Sequence, residues 1–356
     1  MKNGMFLSSK YLNIINEKTI YDRRGDHMEK SVEILFTEDV LNHFLESFHL
    51  QTEVKKLGDF ENYVFEAYRG DNPVILRITH SSHRSKDEIL AELDWMNYLH
   101  KQKVNCPKAY TSSKNQLIED LPAGDGSFFY TCLFSKVDGY PVKIRSAEFN
   151  NKLFHAWGKA IGQMHSVTKE YQPSNEIKLR PSWEDEELLD IETYVPNEKE
   201  IIKNTKLLIK ELQSILRTKD NFGLIHSDIH SGNFFYDGEC VHVFDFDDCS
   251  YHWFASDIAI PLYYSVLYGY QSASEMEREQ FAINFLSHFT KGYEEHHSLP
   301  EDWKQQLPLF FMLRDITLYC VLHKKFSLEE RDDEINQMIE GLKSRIIKKE
   351  PIVKLG

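Results

Sequence analysis

Apolar positions along the chain change their period about a third of the way through. From Thr37 to Leu50, Val40, Leu41, Phe44, Leu45 and Phe48 recur at helical spacing and predict a short amphipathic helix. Val54 to Phe65 and Val74 to Thr79 read as strands, separated by a Gly70-Asp71-Asn72-Pro73 turn. Ser85 to Lys101 predicts a helix: Ser85 and Glu88 form an S-x-x-E capping box, and Ile89, Leu93 and Met96 repeat on one face. Phe128 to Ser135 is again strand-like. From Asn150 onward helical stripes dominate, first Leu153, Trp157, Ile161 and Met164, then Ile201, Leu208, Leu212 and Ile215. One β-island interrupts them at 234–246. A strand-rich first third and a helix-rich remainder, joined near Leu133 to Gly139, predict an α+β chain in two lobes.

Composition narrows the class of function. Apolar residues make up 41% of the 356, enough to fill a large core, and disordered, collagen-like and disulfide-rich chains are excluded. A net charge of −14 argues against nucleic acid and anionic membrane as partners. Cys106, Cys132, Cys240, Cys249 and Cys320 are scattered, with no C-x-x-C, which suits a reducing cytoplasm rather than a disulfide framework or structural zinc. Ile258 to Tyr270, the best apolar run, is too short to span a membrane and carries Pro261 and Gly269. Residues 1–28 are set apart as an extension. Periodicity begins only at Met28, and Arg23-Arg24-Gly25-Asp26-His27 can be encoded as a purine-rich ribosome-binding site before that methionine, so two readings stand: Met28 as the natural start, or a real, disordered tail. Intact mass of the native protein decides this.

The chemistry concentrates between 226 and 247, in His226-Ser-Asp228-Ile-His-Ser-Gly-Asn233 and, further on, Phe244-Asp245-Phe-Asp247. Asp237-Gly238 lies between two β-rich runs and predicts a two-residue hairpin turn. A hairpin reverses the chain and brings Asn233 near Asp245. Paired strands lie only about 4.8 Å apart, so an amide and a carboxylate oxygen can converge on one small cation. Such hard oxygen ligands suit Mg²⁺ that also takes phosphate oxygens. Asp228, on the loop feeding this site, can orient an attacking hydroxyl or accept its proton. His226, His230, His242 and His252 near Cys249 invite a zinc reading, but they form no helical His pair and no Cys pair.

With these motifs the chain resembles the aminoglycoside phosphotransferase/choline kinase superfamily, whose catalytic order is that of protein-kinase-like phosphotransferases. The string His226-x-Asp228-x4-Asn233 is similar to its H-x-D-x4-N loop, and Asp245-Phe-Asp247 to its I-D-F-x-D metal loop. The resemblance implies ATP with Mg²⁺, Asp228 as catalytic base, Asn233 and Asp245 as metal ligands, and His226 as a structural brace. It also implies a nucleotide loop at Gly58 to Phe65 containing Asn62, and Arg77 in place of the phosphate-binding lysine, with Glu92 as its partner. Ser135 C=O and Val137 N–H, in Leu133-Phe-Ser-Lys-Val-Asp-Gly139, would grip the adenine edge. Asp257 would brace the catalytic loop, and Trp157-Gly158-x3-Gly162-x2-His165 would be a close-packing helix.

The implied fold is a five-stranded antiparallel N-lobe over 29–134 and a mainly helical C-lobe over 135–356. Phe311, Arg314, Asp315 and Tyr319 are expected to wall an acceptor pocket for the hydroxyl of a small molecule: an amino alcohol, an aminoglycoside or a homoserine-like compound. Two other readings remain at this stage. One is a protein Ser/Thr kinase, against which stands the lack of an A-P-E signature after Asp245. The other is a nucleotide-binding scaffold without turnover.

Overall fold

The structure, a computed structural model, describes residues 28–59, 61–174, 176–299 and 302–355. The expectation about residues 1–27 therefore lies outside the described residues.

The N-lobe is an antiparallel sheet of β1 (Lys55–Gly58), β2 (Asn62–Arg69), β3 (Asn72–His80), β4 (Ala109–Tyr110), β5 (Glu119–Pro122) and β6 (Phe128–Ser135), in the order β1-β2-β3-β6-β4 with β5 also on β6. Five strands were expected and six are present. β3 pairs with β6 from Phe129 to Ser135, so β4 and β5 share the other edge of β6 as one interrupted column. The predicted strand from Val54 to Phe65 is two strands: the chain turns after Gly58, and β2 continues to Arg69.

Alternation along β3 decides what the lobe offers the cleft. Val74, Leu76 and Ile78 point outward and are covered by Met28, Val32, Phe44, Leu45 and Phe48, in and flanking α1 (Lys30–Glu33) and α2 (Glu38–Ser47). Ile75 and Arg77 point inward, toward α3 (Lys86–Lys101). The start of α3 is set by the predicted capping box: Ser85 Oγ donates to Glu88 Oε2 at 2.6 Å, and Glu88 N–H donates back to Ser85 Oγ at 3.3 Å.

The C-lobe holds α4 (Asn151–Thr168), the short α5 (Ile191–Tyr194), α6 (Lys199–Gln213), α7 (Phe254–Gly269), α8 (Glu275–Tyr293), α9 (Trp303–Lys325) and α10 (Asp333–Lys348). Two strand pairs are set among them, β7 (Phe222–Ile225) with β10 (Ser250–Trp253) and β8 (Phe234–Tyr236) with β9 (Val241–Val243). The helix α7 is buried along its whole length, which explains its unbroken apolar run. No helix among the described residues is long and apolar enough to cross a membrane.

Helices α4 and α8 pack backbone against backbone. A Cβ on Gly158 would sit 1.9 Å from Phe289 O, and one on Gly162 would sit 2.4 Å from Tyr293 O. Small residues are thus required there, as the glycine spacing in α4 predicted.

Candidate active site

A cleft of about 2590 Å³ separates the lobes. A single drug-sized ligand needs ~300–1,000 Å³, so the space admits two small molecules side by side.

The floor is built by the β8–β9 hairpin and the loops flanking it. Phe234 pairs with Val243, and Phe244 N–H donates to Asn233 O at 3.0 Å, so the hairpin brings Asn233 beside Asp245. The connecting turn differs from expectation. It spans four residues rather than two, because Asp237 Oδ1 accepts from both Glu239 N–H (2.8 Å) and Cys240 N–H (2.7 Å), and Gly238 takes φ +102°.

Upstream, Ser227 holds a left-handed φ of 69° between His226 and Asp228. Buried Asp257 stabilises this turn by accepting from His226 N–H and Ser227 N–H, each at 2.9 Å. His165 sits between Asp257 Oδ2 (3.3 Å) and the Tyr293 hydroxyl (2.8 Å) and fixes that brace in turn. His226 Nε2 bonds Phe244 O at 3.0 Å and ties the loop to the second strand.

Asn233 Nδ2 donates to Asp228 O (2.8 Å) and to its Oδ2 (3.1 Å), which turns the amide oxygen away from Asp228. Asp228 also meets His230 Nε2 at 3.4 Å and an Arg314 Nη2 donor. Burial would raise the Asp228 carboxyl, but His230 and Arg314 beside it hold it down to about 2, so it is ionised at neutral pH. Asp245, also at a left-handed φ of 66°, goes the other way: it opens onto the cleft, but desolvation by the surrounding cleft walls and then the Asp247 charge push it up to about 7.

Two carboxylates are thus crowded here, and Asp247 Oδ1 is buried with no hydrogen-bond partner. Asp245, open to the cleft, with buried Asp247 two residues on and the Asn233 amide beside it, is a donor set that fits a divalent cation with hard-oxygen preference.

On the roof, Arg77 and Glu92 form a bidentate pair, with Nη1 to Oε1 at 2.8 Å and Nη2 to Oε2 at 2.6 Å. They are 6% and 1% exposed, and Arg77 Nε keeps no partner. Asp247 Oδ1 lies 3.9 Å from Arg77 Nη1 and completes a link between the lobes.

At the join, Ser135 N–H donates to Lys108 O and Lys108 N–H donates to Ser135 Oγ, both at 2.9 Å. Ser135 and Val137 line the cleft beside Ile75, Met96 and Phe244. Gly139 follows at φ +93°, so close to the hairpin that a Cβ would lie 2.7 Å from the Tyr236 carbonyl carbon. Asn62 lines the cleft as well, but its side-chain oxygen accepts from Thr79 Oγ1 at 2.5 Å and ties β2 to β3.

The expected acceptor wall needs correction. Of Phe311, Arg314, Asp315 and Tyr319, only Arg314 lines the cleft. Phe311 and Tyr319 are core residues, and buried Asp315 pairs with Arg345 (2.6 and 2.9 Å) and the Tyr263 hydroxyl (2.7 Å). On this side the cleft is lined instead by Phe310, Arg314, Thr317 and Val321 of α9 with Tyr264 and Tyr268 of α7.

Three side chains carried no signal in the sequence. Buried Arg180 donates to Cys249 O (2.7 Å), Asp247 O (2.6 Å) and, across the cleft, Glu88 O (3.1 Å). His83 Nε2 bonds Asp247 Oδ2 at 2.6 Å, and Arg84 Nη2 bonds Asp248 Oδ1 at 2.6 Å. Together they clamp the start of α3, and with it Glu92, to the Asp245–Asp248 loop. An isolated arginine or histidine in a loop has no spacing from which this could be read.

Residues 53–298 match the model of the phosphotransferase enzyme family. The chain is 35% identical over 301 residues to the amicoumacin kinase of Bacillus subtilis (strain 168), covering 84% of this chain and 88% of that one. Among solved structures it is similar to amicoumacin kinase hAmiN in complex with AMP-PNP, Ca²⁺ and Ami. That match has a TM-score of 0.86 and 36% identity over 92% of this chain and 98% of the other. A microcompartment-associated aminopropanol kinase shares the fold, with a TM-score of 0.70 at 19% identity over 88% and 98% of the two chains. The kinase-like fold, the ATP-type nucleotide and the divalent ion expected from the motifs agree with these relatives. The chain belongs to the phosphotransferase enzyme family and is an ATP-dependent kinase acting on a hydroxyl of a small molecule.

Proposed function

We propose that this enzyme phosphorylates a hydroxyl of amicoumacin or a closely related compound. The observation that carries this reading is the reach of the similarity. Identity to amicoumacin kinase stays at 35% across 84% of the chain, so it includes much of the C-lobe whose helices wall the acceptor side.

In this reading Asp228 orients the acceptor hydroxyl toward the γ-phosphorus and receives its proton as the new P–O bond forms. A carboxylate held near 2 is a weak base, so its main contribution is orientation, with the proton moving late, once the hydroxyl has become acidic. Asn233 and Asp245 would hold Mg²⁺, which when bound neutralises charge on the transferring phosphoryl group. Arg77, fixed by Glu92, would hold α- and β-phosphate oxygens, and Asn62 keeps β2 and β3 in register above them. Ser135 C=O and Val137 N–H would meet the adenine edge. His83, Arg84 and Arg180 keep the two halves of this constellation at a fixed distance.

The test is Mg²⁺-dependent ADP release with amicoumacin, spectinomycin, aminopropanol, ethanolamine, choline and homoserine. Stimulation by amicoumacin well above the others is expected. Stimulation only by a simple amino alcohol or by homoserine would refute the substrate assignment and leave the family membership intact.

A further inference from the structure

Asp228 must accept one partner from the incoming acceptor, yet in this structure a cation already occupies it. Arg314, at mid-length of α9, donates through Nη2 to Asp228 Oδ1. Its Nε donates to the Tyr264 hydroxyl at 2.9 Å, and the guanidinium lies 5.0 Å from the Tyr264 ring centroid. The arginine is therefore aimed by α7 as well as carried by α9. The other oxygen of Asp228 is used by Asn233 and His230. The pair is not sealed in the core: the side chains of Arg314 and Asp228 are 24% and 19% exposed, and both line the cleft. Arg314 is thus a group that an acceptor can reach and move, placed on the oxygen that would otherwise orient any hydroxyl, including that of water.

We propose that Arg314 is a positioning residue that covers Asp228 Oδ1 until the acceptor arrives and so keeps water from acting as the acceptor. This rests on the reading of Asp228 as the group that orients the attacking hydroxyl. In the suppressed reaction, water oxygen bonds to the γ-phosphorus as the bond from that phosphorus to the β,γ-bridging oxygen breaks. ADP and inorganic phosphate leave, and one proton is released to solvent. A kinase with a cleft of this volume has room for water whenever the acceptor is absent, so a cover over the orienting carboxylate limits futile hydrolysis. A guanidinium suits the task because it carries only donors. It can occupy Asp228 but cannot itself activate water.

The test uses the full chain with Mg²⁺ and ATP and no acceptor, and follows ADP release. Variants are Arg314→Met, Arg314→Lys, Tyr264→Phe and the double variant Arg314→Met/Asp228→Asn. AMP-PNP binding and thermal melting of each are measured in parallel. Arg314→Met is expected to raise acceptor-free hydrolysis about tenfold or more, the size of one charge-assisted hydrogen bond. Tyr264→Phe, which loosens the arginine without removing it, gives a smaller rise and serves if Arg314→Met fails to fold. Arg314→Lys keeps a cation but loses the Nε bond to Tyr264, so its rise is no larger than that of Tyr264→Phe and well below that of Arg314→Met. The double variant loses the rise and falls to or below the wild-type level, because the exposed carboxylate is gone.

Unchanged or lower hydrolysis in Arg314→Met and Tyr264→Phe, with normal AMP-PNP binding, would overturn the proposal. So would a rise that survives Asp228→Asn, or a lysine variant that behaves like methionine. Failure of the underlying reading looks different: Asp228→Asn alone would then leave acceptor phosphorylation intact, whatever Arg314 does.

Discussion

Glu92→Gln gives the most quantitative consequence of the site's construction. The substitution keeps shape and removes one charge from a buried bidentate pair. Truncating one partner of such a pair costs about 3–5 kcal/mol, because the remaining ion stays desolvated. Asp247 Oδ1, at 3.9 Å from Arg77 Nη1, retains part of the compensation, which places the expected loss near the lower end. With a urea slope of about 3 kcal/mol per M, the unfolding midpoint falls by about 1 M.

Arg77→Met/Glu92→Leu separates folding from function. Replacing both ions by apolar residues of similar volume is near neutral or stabilising. Urea unfolding should therefore recover to within about 1–2 kcal/mol of wild type, while KM for MgATP stays raised if Arg77 holds phosphate oxygens as proposed. Stability and activity should part company in the double variant and fall together in Glu92→Gln. Wild-type stability in Glu92→Gln would show that the pair is not desolvated, and recovery of nucleotide use along with stability in the double variant would show that Arg77 does not serve the nucleotide.

Other outcomes follow from different parts of the molecule. Gly158→Ala drives a methyl group into the Phe289 carbonyl, 1.9 Å away, and should lower the melting temperature by many degrees, read by calorimetry; an unchanged melt would mean α4 and α8 are not in backbone contact. His252 is buried, and burial, with Arg217 and Arg314 nearby, lowers its pKa to about 3, against about 6.5 unfolded. The unfolded state then binds more protons below pH 6.5, so stability is lost as pH falls from 6.5 toward 3, by about 2 kcal/mol between pH 6.5 and 5. His252→Gln should flatten that part of the pH–stability curve, and an identical slope in both proteins would contradict it. Arg180→Met should raise the Mg²⁺ concentration needed for half-maximal activity more than it lowers kcat at saturating metal, since it frees the carbonyls of Asp247 and Cys249.

The parts of the site that were legible in the sequence are those where local geometry and chemistry share one segment. The string from His226 to Asp247 contains the loop, the hairpin and both carboxylates, so spacing alone brings Asn233 to Asp245. The capping box at Ser85 phases α3, and strand alternation along β3 turns Arg77 inward to meet Glu92. The hairpin turn was misjudged because Asp-Gly is also compatible with a longer turn in which the aspartate caps two N–H groups.

The acceptor wall was misjudged for a more general reason. α9 is apolar on both sides, being buried against the C-lobe core on one and facing the cleft on the other. Its sequence therefore does not tell that Arg314 faces the cleft while Asp315, one residue on, turns to Arg345. Asn62 sits at the expected place, but its side chain is spent on Thr79. The clamp of His83, Arg84 and Arg180 joins residues up to 164 positions apart and exists only in the folded chain.

In the proposed function everything turns on Asp228, which would direct phosphoryl transfer in a cleft that takes nucleotide, metal and a hydroxyl acceptor. Asp228→Asn tests it most directly, measured as Mg²⁺-dependent ADP release with the best acceptor of the panel alongside AMP-PNP binding. Nucleotide affinity close to wild type and a loss of turnover of about a hundredfold or more are expected. Turnover close to wild type in a variant that binds AMP-PNP normally would contradict it.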